Sequence, residues 1–191
     1  MPELTRNALI AAGLCLALSG CDRDSAEPAQ DSPELSDAKP ALAGTIDDSH
    51  AGELLPTLEV RQANGTVLNL GASQGEPLLV NLWATWCAPC IVEMPMLDEL
   101  AQDMNGKLRV LTVSQDLQGA EAVEPFFAER NFAMLEPWLD PDTTLSTAIG
   151  GDVMPTTVLY DASGREMWRV VGDYDWSSAE AREAIATALT E

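Results

Sequence analysis

From about residue 54 the chain switches repeatedly between the two-residue and 3.6-residue periods that mark strands and helices. Leu58–Arg61 and Val67–Leu70 flank Asn64-Gly65, a strong short-range hairpin signal. Leu78-Leu79-Val80-Asn81-Leu82-Trp83 is a nearly unbroken apolar run of strand length, the pattern of a central strand buried on both faces. Ile91, Met94, Leu97, Ala101 and Met104 then recur at helical spacing and predict a helix over 88–104. Leu108–Ser114 reads as the next strand, Ala120–Arg130 as a second helix and Asp142–Ile149 as a short one. After Met154-Pro155 come a strand at Thr156–Tyr160, a turn at Asp161–Gly164 and a strand at Glu166–Val171. Ser177, with Glu180 three places on, predicts a capping box that opens the last helix. The order β-β-β-α-β-α-β-β-α predicts one α/β domain over 54–191. It would be a three-layer mixed sheet with helices on both faces and an N-terminal hairpin extension.

The beginning of the chain follows other rules. Residues 8–18 are an uncharged stretch of eleven, about half a bilayer in length as a helix, preceded by Arg6. That suits the core of a signal peptide, with a buried N-terminal helix as the alternative. Leu18-Ser19-Gly20-Cys21 resembles the cleavage site of bacterial lipoproteins. The resemblance implies that residues 1–20 are removed and that Cys21 carries lipid, two acyl chains giving the stable anchoring one chain cannot. Asp22 resembles the inner-membrane retention signal of enteric lipoproteins. Residues 22–53 hold nine carboxylates against Arg23 and Lys39, with Pro28, Pro33 and Pro40 among Ala and Ser. Such a stretch cannot bury enough apolar surface to offset its ordering entropy, so residues 21–53 read as a lipidated, acidic, disordered tether. His50 lies there and reads as a solvated loop histidine.

Charge narrows the function further. The 31 acidic and 10 basic residues give a net charge of −21, which excludes nucleic acid as a default partner. It also predicts partners that present a positive face or are small, and association that weakens with salt. A single histidine excludes metal sites and triads that need several imidazoles. No apolar run reaches the roughly 18–20 residues of a membrane-spanning helix. No heptad or other dimerisation segment is visible, so a monomer is expected. Processing at Cys21 would leave two free thiols, Cys87 and Cys90.

Trp86-Cys87-Ala88-Pro89-Cys90 falls where the buried strand hands over to the helix. A cysteine at a helix N-terminus has its thiolate stabilised by unpaired backbone N–H groups, typically by about 0.3–1 kcal/mol. Cys87 should therefore be exposed and act as nucleophile, while Cys90, one turn in, is shielded and resolves the mixed disulfide. Pro89 stiffens the spacer. A structural disulfide would gain little from so short a loop, and no second CxxC or histidine set completes a zinc site.

The stretch Asn81–Leu100 resembles the thioredoxin fold, and the chain from about 54 to 190 is similar to the TlpA/ResA/DsbE family of membrane-tethered bacterial thiol–disulfide oxidoreductases. The likeness to the TlpA type rests on Asn81-Leu82-Trp83-Ala84-Thr85-Trp86-Cys87, Glu93-Met94-Pro95 and Leu97-Asp98-Glu99-Leu100. It implies that Glu93 is an acid in the active-site cavity. Its carboxyl, raised in pKa by desolvation, would take the proton from Cys90; a solvated helix acid is the alternative. Asn81 departs from the buried acid of thioredoxin itself, which moves the proton relay to Glu93. Pro95 matches the kinking proline of the first helix. Met154-Pro155-Thr156 resembles the cis-proline loop, with a trans proline opening a strand as the alternative. Trp86, Ala88, Pro89, Met154 and Pro155 are then the substrate-binding candidates. Trp83 is expected beside the site, and Trp138, Trp168 and Trp176 in core or rim without a role.

The function implied is a periplasm-facing, lipid-anchored reductant of protein disulfides, recharged by a membrane thiol donor, without metal or other cofactor. Its implied substrates are apocytochrome c or copper-site assembly proteins. An oxidant or isomerase remains open, as does a CxxC copper chaperone without turnover.

Overall fold

Backbone pairing carries the chain into the sheet well before its hydrophobic pattern suggests. The computed structural model describes residues 44–190. Its strands and helices are β1 (Thr45–Asp47), β2 (Glu59–Arg61), β3 (Val67–Asn69), β4 (Leu78–Trp83), α1 (Ala88–Asp103), β5 (Arg109–Ser114), α2 (Ala120–Arg130), β6 (Trp138–Leu139), α3 (Thr144–Ile149), β7 (Thr156–Tyr160), β8 (Glu166–Val171) and α4 (Ala179–Ala188). The strands form one sheet in the order β1-β8-β7-β4-β5-β6-β2-β3. At its centre β4 runs parallel to β5 and antiparallel to β7.

The unbroken apolar run of β4 is explained by burial on two sides. Leu79 and Trp83 face a core shared with Met94, Leu97 and Leu100 of α1, Val123 and Phe126 of α2, and Ile185 of α4. Leu78, Val80 and Leu82 face a second core with Leu111, Val113, Val158, and Leu145 and Ile149 of α3. Helices therefore cover both faces, as the pattern predicts. Alternation places Asn81, between Leu79 and Trp83, on the α1 side.

The 59–69 hairpin forms as expected, with Val60 opposite Leu68. Gly65 takes the left-handed φ of 88° that glycine adopts without a Cβ penalty, and Asn64 Oδ1 accepts the Thr66 N–H at 2.8 Å. On β8, the buried Arg169 donates through Nε and Nη2 to the two oxygens of Glu166, both at 2.6 Å. Its Nη1 donates to the Ile149 carbonyl at 2.7 Å, so β8 is tied to the end of α3.

Two expectations about the ends of the domain are not met. The tether does not extend to residue 53. Thr45, Ile46 and Asp47 pair with Val171, Val170 and Arg169. The Gly44 N–H donates to the Asp173 carbonyl (2.8 Å), and the Glu53 carbonyl accepts from the Glu166 N–H (2.8 Å). Main-chain hydrogen bonds hold this polar segment, and they leave no hydrophobic period to read. His50, partly buried in the turn that follows, has Nδ1 3.0 Å from Glu53 Oε1. The second departure concerns α4. Its cap is Ser178, whose Oγ accepts from the Ala181 N–H at 3.1 Å, so no Ser177–Glu180 capping box forms. Ser177 Oγ instead donates to Asp175 Oδ1.

The signal peptide, Cys15, Cys21 and most of the tether lie outside the described residues. Among the described residues no helix is long and apolar enough to cross a membrane.

Candidate active site

The end of β4 delivers the dithiol to the start of α1. Cys87 is the N-cap residue, with extended backbone (φ −89°, ψ 98°), and its Sγ accepts the Cys90 N–H at 3.4 Å. Ala88 and Pro89 occupy the first two helical positions, where the N–H that proline lacks has no intrahelical acceptor to lose. The two sulfurs are bonded at 2.04 Å, with the Cα atoms 5.3 Å apart. The same Cys90 N–H that caps Sγ here would stabilise a Cys87 thiolate after reduction.

Cys87 is not exposed as expected. It is 6% accessible against 1% for Cys90, because both side chains are packed into the core of Trp83, Ala84 and Met94. The order of access still favours Cys87. Trp86, beside it, is 65% exposed, and Ala88 and Pro89 are exposed as well. Trp83 is fully buried, its ring 4.8 Å from that of Phe126, so it forms the floor of the site and not its surface.

The approach to Cys87 is braced by a residue the motif did not reveal. Asp116, buried just after β5, accepts the Thr85 N–H (2.9 Å) and Ser114 Oγ–H (2.8 Å) on Oδ2, and Thr85 Oγ–H (2.7 Å) on Oδ1. This ties the turn preceding the dithiol to the neighbouring strand. Sequence offered no signal for it beyond a polar residue after an apolar strand.

Glu93 lies one turn beyond Cys90 on α1 and is fully buried. Its Oε1 accepts the Tyr174 N–H (2.5 Å) and the Trp176 Nε1–H (3.2 Å). Desolvation raises its pKa from 4.5 to about 8, with the charge of Asp173 adding to the rise. The Tyr174 amide, the Trp176 indole and Asn81 act in the opposite sense. Asn81 is buried, and its Nδ2 donates to Thr157 Oγ1 at 2.9 Å. Asn81 Oδ1 and Glu93 Oε2 are both buried acceptors without a partner. A proton on the carboxyl supplies the donor such a site lacks. The interaction with Trp176 spans 83 residues of sequence, and nothing in the sequence announces it.

The Met154–Pro155 peptide is cis, and Pro155 is buried with its carbonyl accepting from the Gly172 N–H at 2.9 Å. Met154 is half-buried and packs against the core that contains both cysteines. Cys87, Cys90 and Met154 therefore share one core with Trp83, while Trp86, Ala88 and Pro89 lie exposed at its edge. Pro95 sits inside α1 as predicted. No group of three or more His, Cys, Asp or Glu among the described residues could hold a metal ion.

Chains that carry a dithiol at this junction of a mixed sheet have the thioredoxin-like fold. A solved secreted thiol-disulfide isomerase of Corynebacterium glutamicum has it too, superposing with a TM-score of 0.64 over 82% of this chain and 95% of its own, at 20% identity. Within that class the chain belongs to the Redoxin family, whose pattern matches residues 50–185. It is 31% identical over 124 residues to the thiol:disulfide interchange protein CycY of Rhizobium leguminosarum bv. viciae, covering 65% of each chain. It is 25% identical over 122 residues to the thiol-disulfide oxidoreductase ResA of Bacillus cereus, covering 64% of this chain and 70% of that one. These matches agree with the TlpA/ResA/DsbE likeness of the motif. The chain spans about two thirds of the length of the curated relatives it matches.

Proposed function

We propose that the protein is a thiol–disulfide oxidoreductase that reduces disulfides in partner proteins from the outer side of a bacterial inner membrane. One observation carries this reading: a Cys87–Cys90 disulfide at the N-terminus of α1 with a buried carboxyl, Glu93, one turn behind it. In the reduced state the Cys87 thiolate attacks a substrate disulfide, a mixed disulfide forms and one substrate thiolate leaves. Glu93 then takes the proton of Cys90. The Cys90 thiolate attacks Cys87 Sγ, the intramolecular disulfide forms and the second substrate thiolate is released and protonated. One dithiol has become a disulfide, and one substrate disulfide a dithiol. A membrane thiol donor restores the pair.

Trp86, Ala88, Pro89, Met154 and Pro155 form the substrate-facing surface in this reading. The exposure of Trp86 supports it, and so does the packing of Met154 against the cysteine core. Substrates are the haem-site cysteines of apocytochrome c or the copper-site cysteines of assembly proteins, which the TlpA/ResA/DsbE likeness supports. Attachment is through lipid on Cys21, and the protein acts as a monomer.

The reduction potential of Cys87–Cys90 tests the direction. A value near or below about −270 mV fits a reductant, whereas one near about −120 mV marks an oxidant and overturns the proposal. A Cys90→Ser chain should accumulate mixed disulfides with its substrates, and Cys87→Ser should not. Cys21→Ala should release the protein from membranes.

A further inference from the structure

The connection between β8 and α4 carries no motif, yet it closes on Glu93. Two donors from it converge on one oxygen: the Tyr174 N–H and the Trp176 Nε1–H both point at Oε1. The other oxygen, Oε2, is buried and has no hydrogen-bond partner. The carboxyl is therefore asymmetric. A proton arriving at Oε1 would have to displace one of its two N–H donors, while Oε2 can take one without breaking a bond. Trp176 is itself fully buried, edge-on to Tyr174 at 5.0 Å, in the core that also holds Cys87 and Cys90. Its indole cannot turn away without opening that core.

We infer that Trp176 is a positioning residue for thiol exchange: together with the Tyr174 amide it pins Oε1 of Glu93 and leaves Oε2 as the atom that receives the Cys90 proton. This rests on the reading of Glu93 as proton acceptor for Cys90. The step balances: the Cys90 S–H bond breaks, an Oε2–H bond forms and the sulfur keeps the electron pair. That pair makes the bond to Cys87 Sγ as the substrate thiolate leaves. Oε2 later returns its proton to solvent. The groups that bear on this carboxyl come from three elements. Asp173 in the β8–α4 connection disfavours its charge, while the Tyr174 amide, the Trp176 indole and, from β4, Asn81 favour it. Cys90 precedes it by one turn on α1. Losing the indole donor should therefore make Oε2 hold its proton to higher pH.

The test uses the reduced full-length chain with Cys15→Ser and Cys21→Ser, in which Cys87 and Cys90 are the two remaining thiols, mixed with Ellman's disulfide. The first release of thionitrobenzoate reports attack by Cys87, and the second, unimolecular release reports resolution by Cys90. In the unsubstituted protein the second phase should show an inflection that Glu93→Gln abolishes. Trp176→Phe keeps a ring in the core and removes only the N–H. It should move that inflection alkaline by about one pH unit, the effect of losing one hydrogen bond to a charged group. A merely structural role would lower stability and leave the midpoint in place. A second readout needs no Trp176 variant. The indole N–H proton resonance of Trp176 should titrate with the same midpoint, and should stop doing so in Glu93→Gln. An unmoved midpoint in Trp176→Phe, or an indole resonance flat from pH 5 to 10 while the second phase titrates, overturns the inference. A second phase unaffected by Glu93→Gln overturns the underlying role of Glu93 instead.

Discussion

Glu93 should make the stability of the oxidised domain fall as pH rises, and Glu93→Gln should remove that fall. A carboxyl at about 8 in the folded chain and 4.5 in the unfolded one binds its proton more tightly when folded. Its burial is therefore tolerated below pH 4.5, and stability is lost progressively as pH rises through the folded value. The full difference corresponds to about 5 kcal/mol, and between pH 5 and 8 to about 3–4 kcal/mol, a slope near 1.4 kcal/mol per pH unit. The chain carries 31 acidic residues, and subtracting one pH profile from the other cancels the contributions of those the substitution does not touch. The difference between the two profiles isolates Glu93. The substitution places an amide where Oε2 has no partner, a contribution constant with pH that shifts the difference without tilting it. Urea unfolding at half-unit steps from pH 5 to 8 measures this directly. Profiles that stay parallel within about 1 kcal/mol would falsify the raised carboxyl and the proton transfer built on it.

Asp116→Asn trades an acceptor of three hydrogen bonds for an amide that cannot match them. It should cost about 1–3 kcal/mol in urea unfolding and slow attack by Cys87, and a change below about 0.5 kcal/mol would remove the brace. Arg169→Met leaves Glu166 buried without its partner and should cost roughly 3–5 kcal/mol at neutral pH by chemical denaturation. A loss under about 1 kcal/mol would mean that Glu166 finds water or a proton. Ser178→Ala should destabilise by about 0.5–2 kcal/mol and Ser177→Ala by less than about 0.5, a pair of thermal melts that tells the observed cap from the predicted one.

The parts legible in the sequence are those fixed by local periodicity or by a short motif. β4, α1 and the Asn64-Gly65 hairpin carry their signal within a few residues, and so does Cys87-Ala88-Pro89-Cys90. The parts that escaped depend on partners distant in sequence or on backbone alone. β1 is held by main-chain bonds to β8 and has no alternation to betray it. Trp138–Leu139 is too short a strand to show a period. Trp176 looks like any core tryptophan until the fold brings its N–H to Glu93. The choice between Ser177 and Ser178 as cap turned on Asp175, which engages the first serine.

β1 has a consequence beyond lengthening the domain. Every open sheet ends in a strand with one row of unpaired amides and carbonyls, and such a row invites a second copy to add itself. Without β1 that exposed margin would be β8, six residues long with Val170 and Val171 at its end. With it, the margin is a three-residue strand that runs directly into Asp47-Asp48. A short rim bearing like charges is a poor template for another chain. β1 thus turns this edge of the sheet into one that a second molecule's strand would extend poorly.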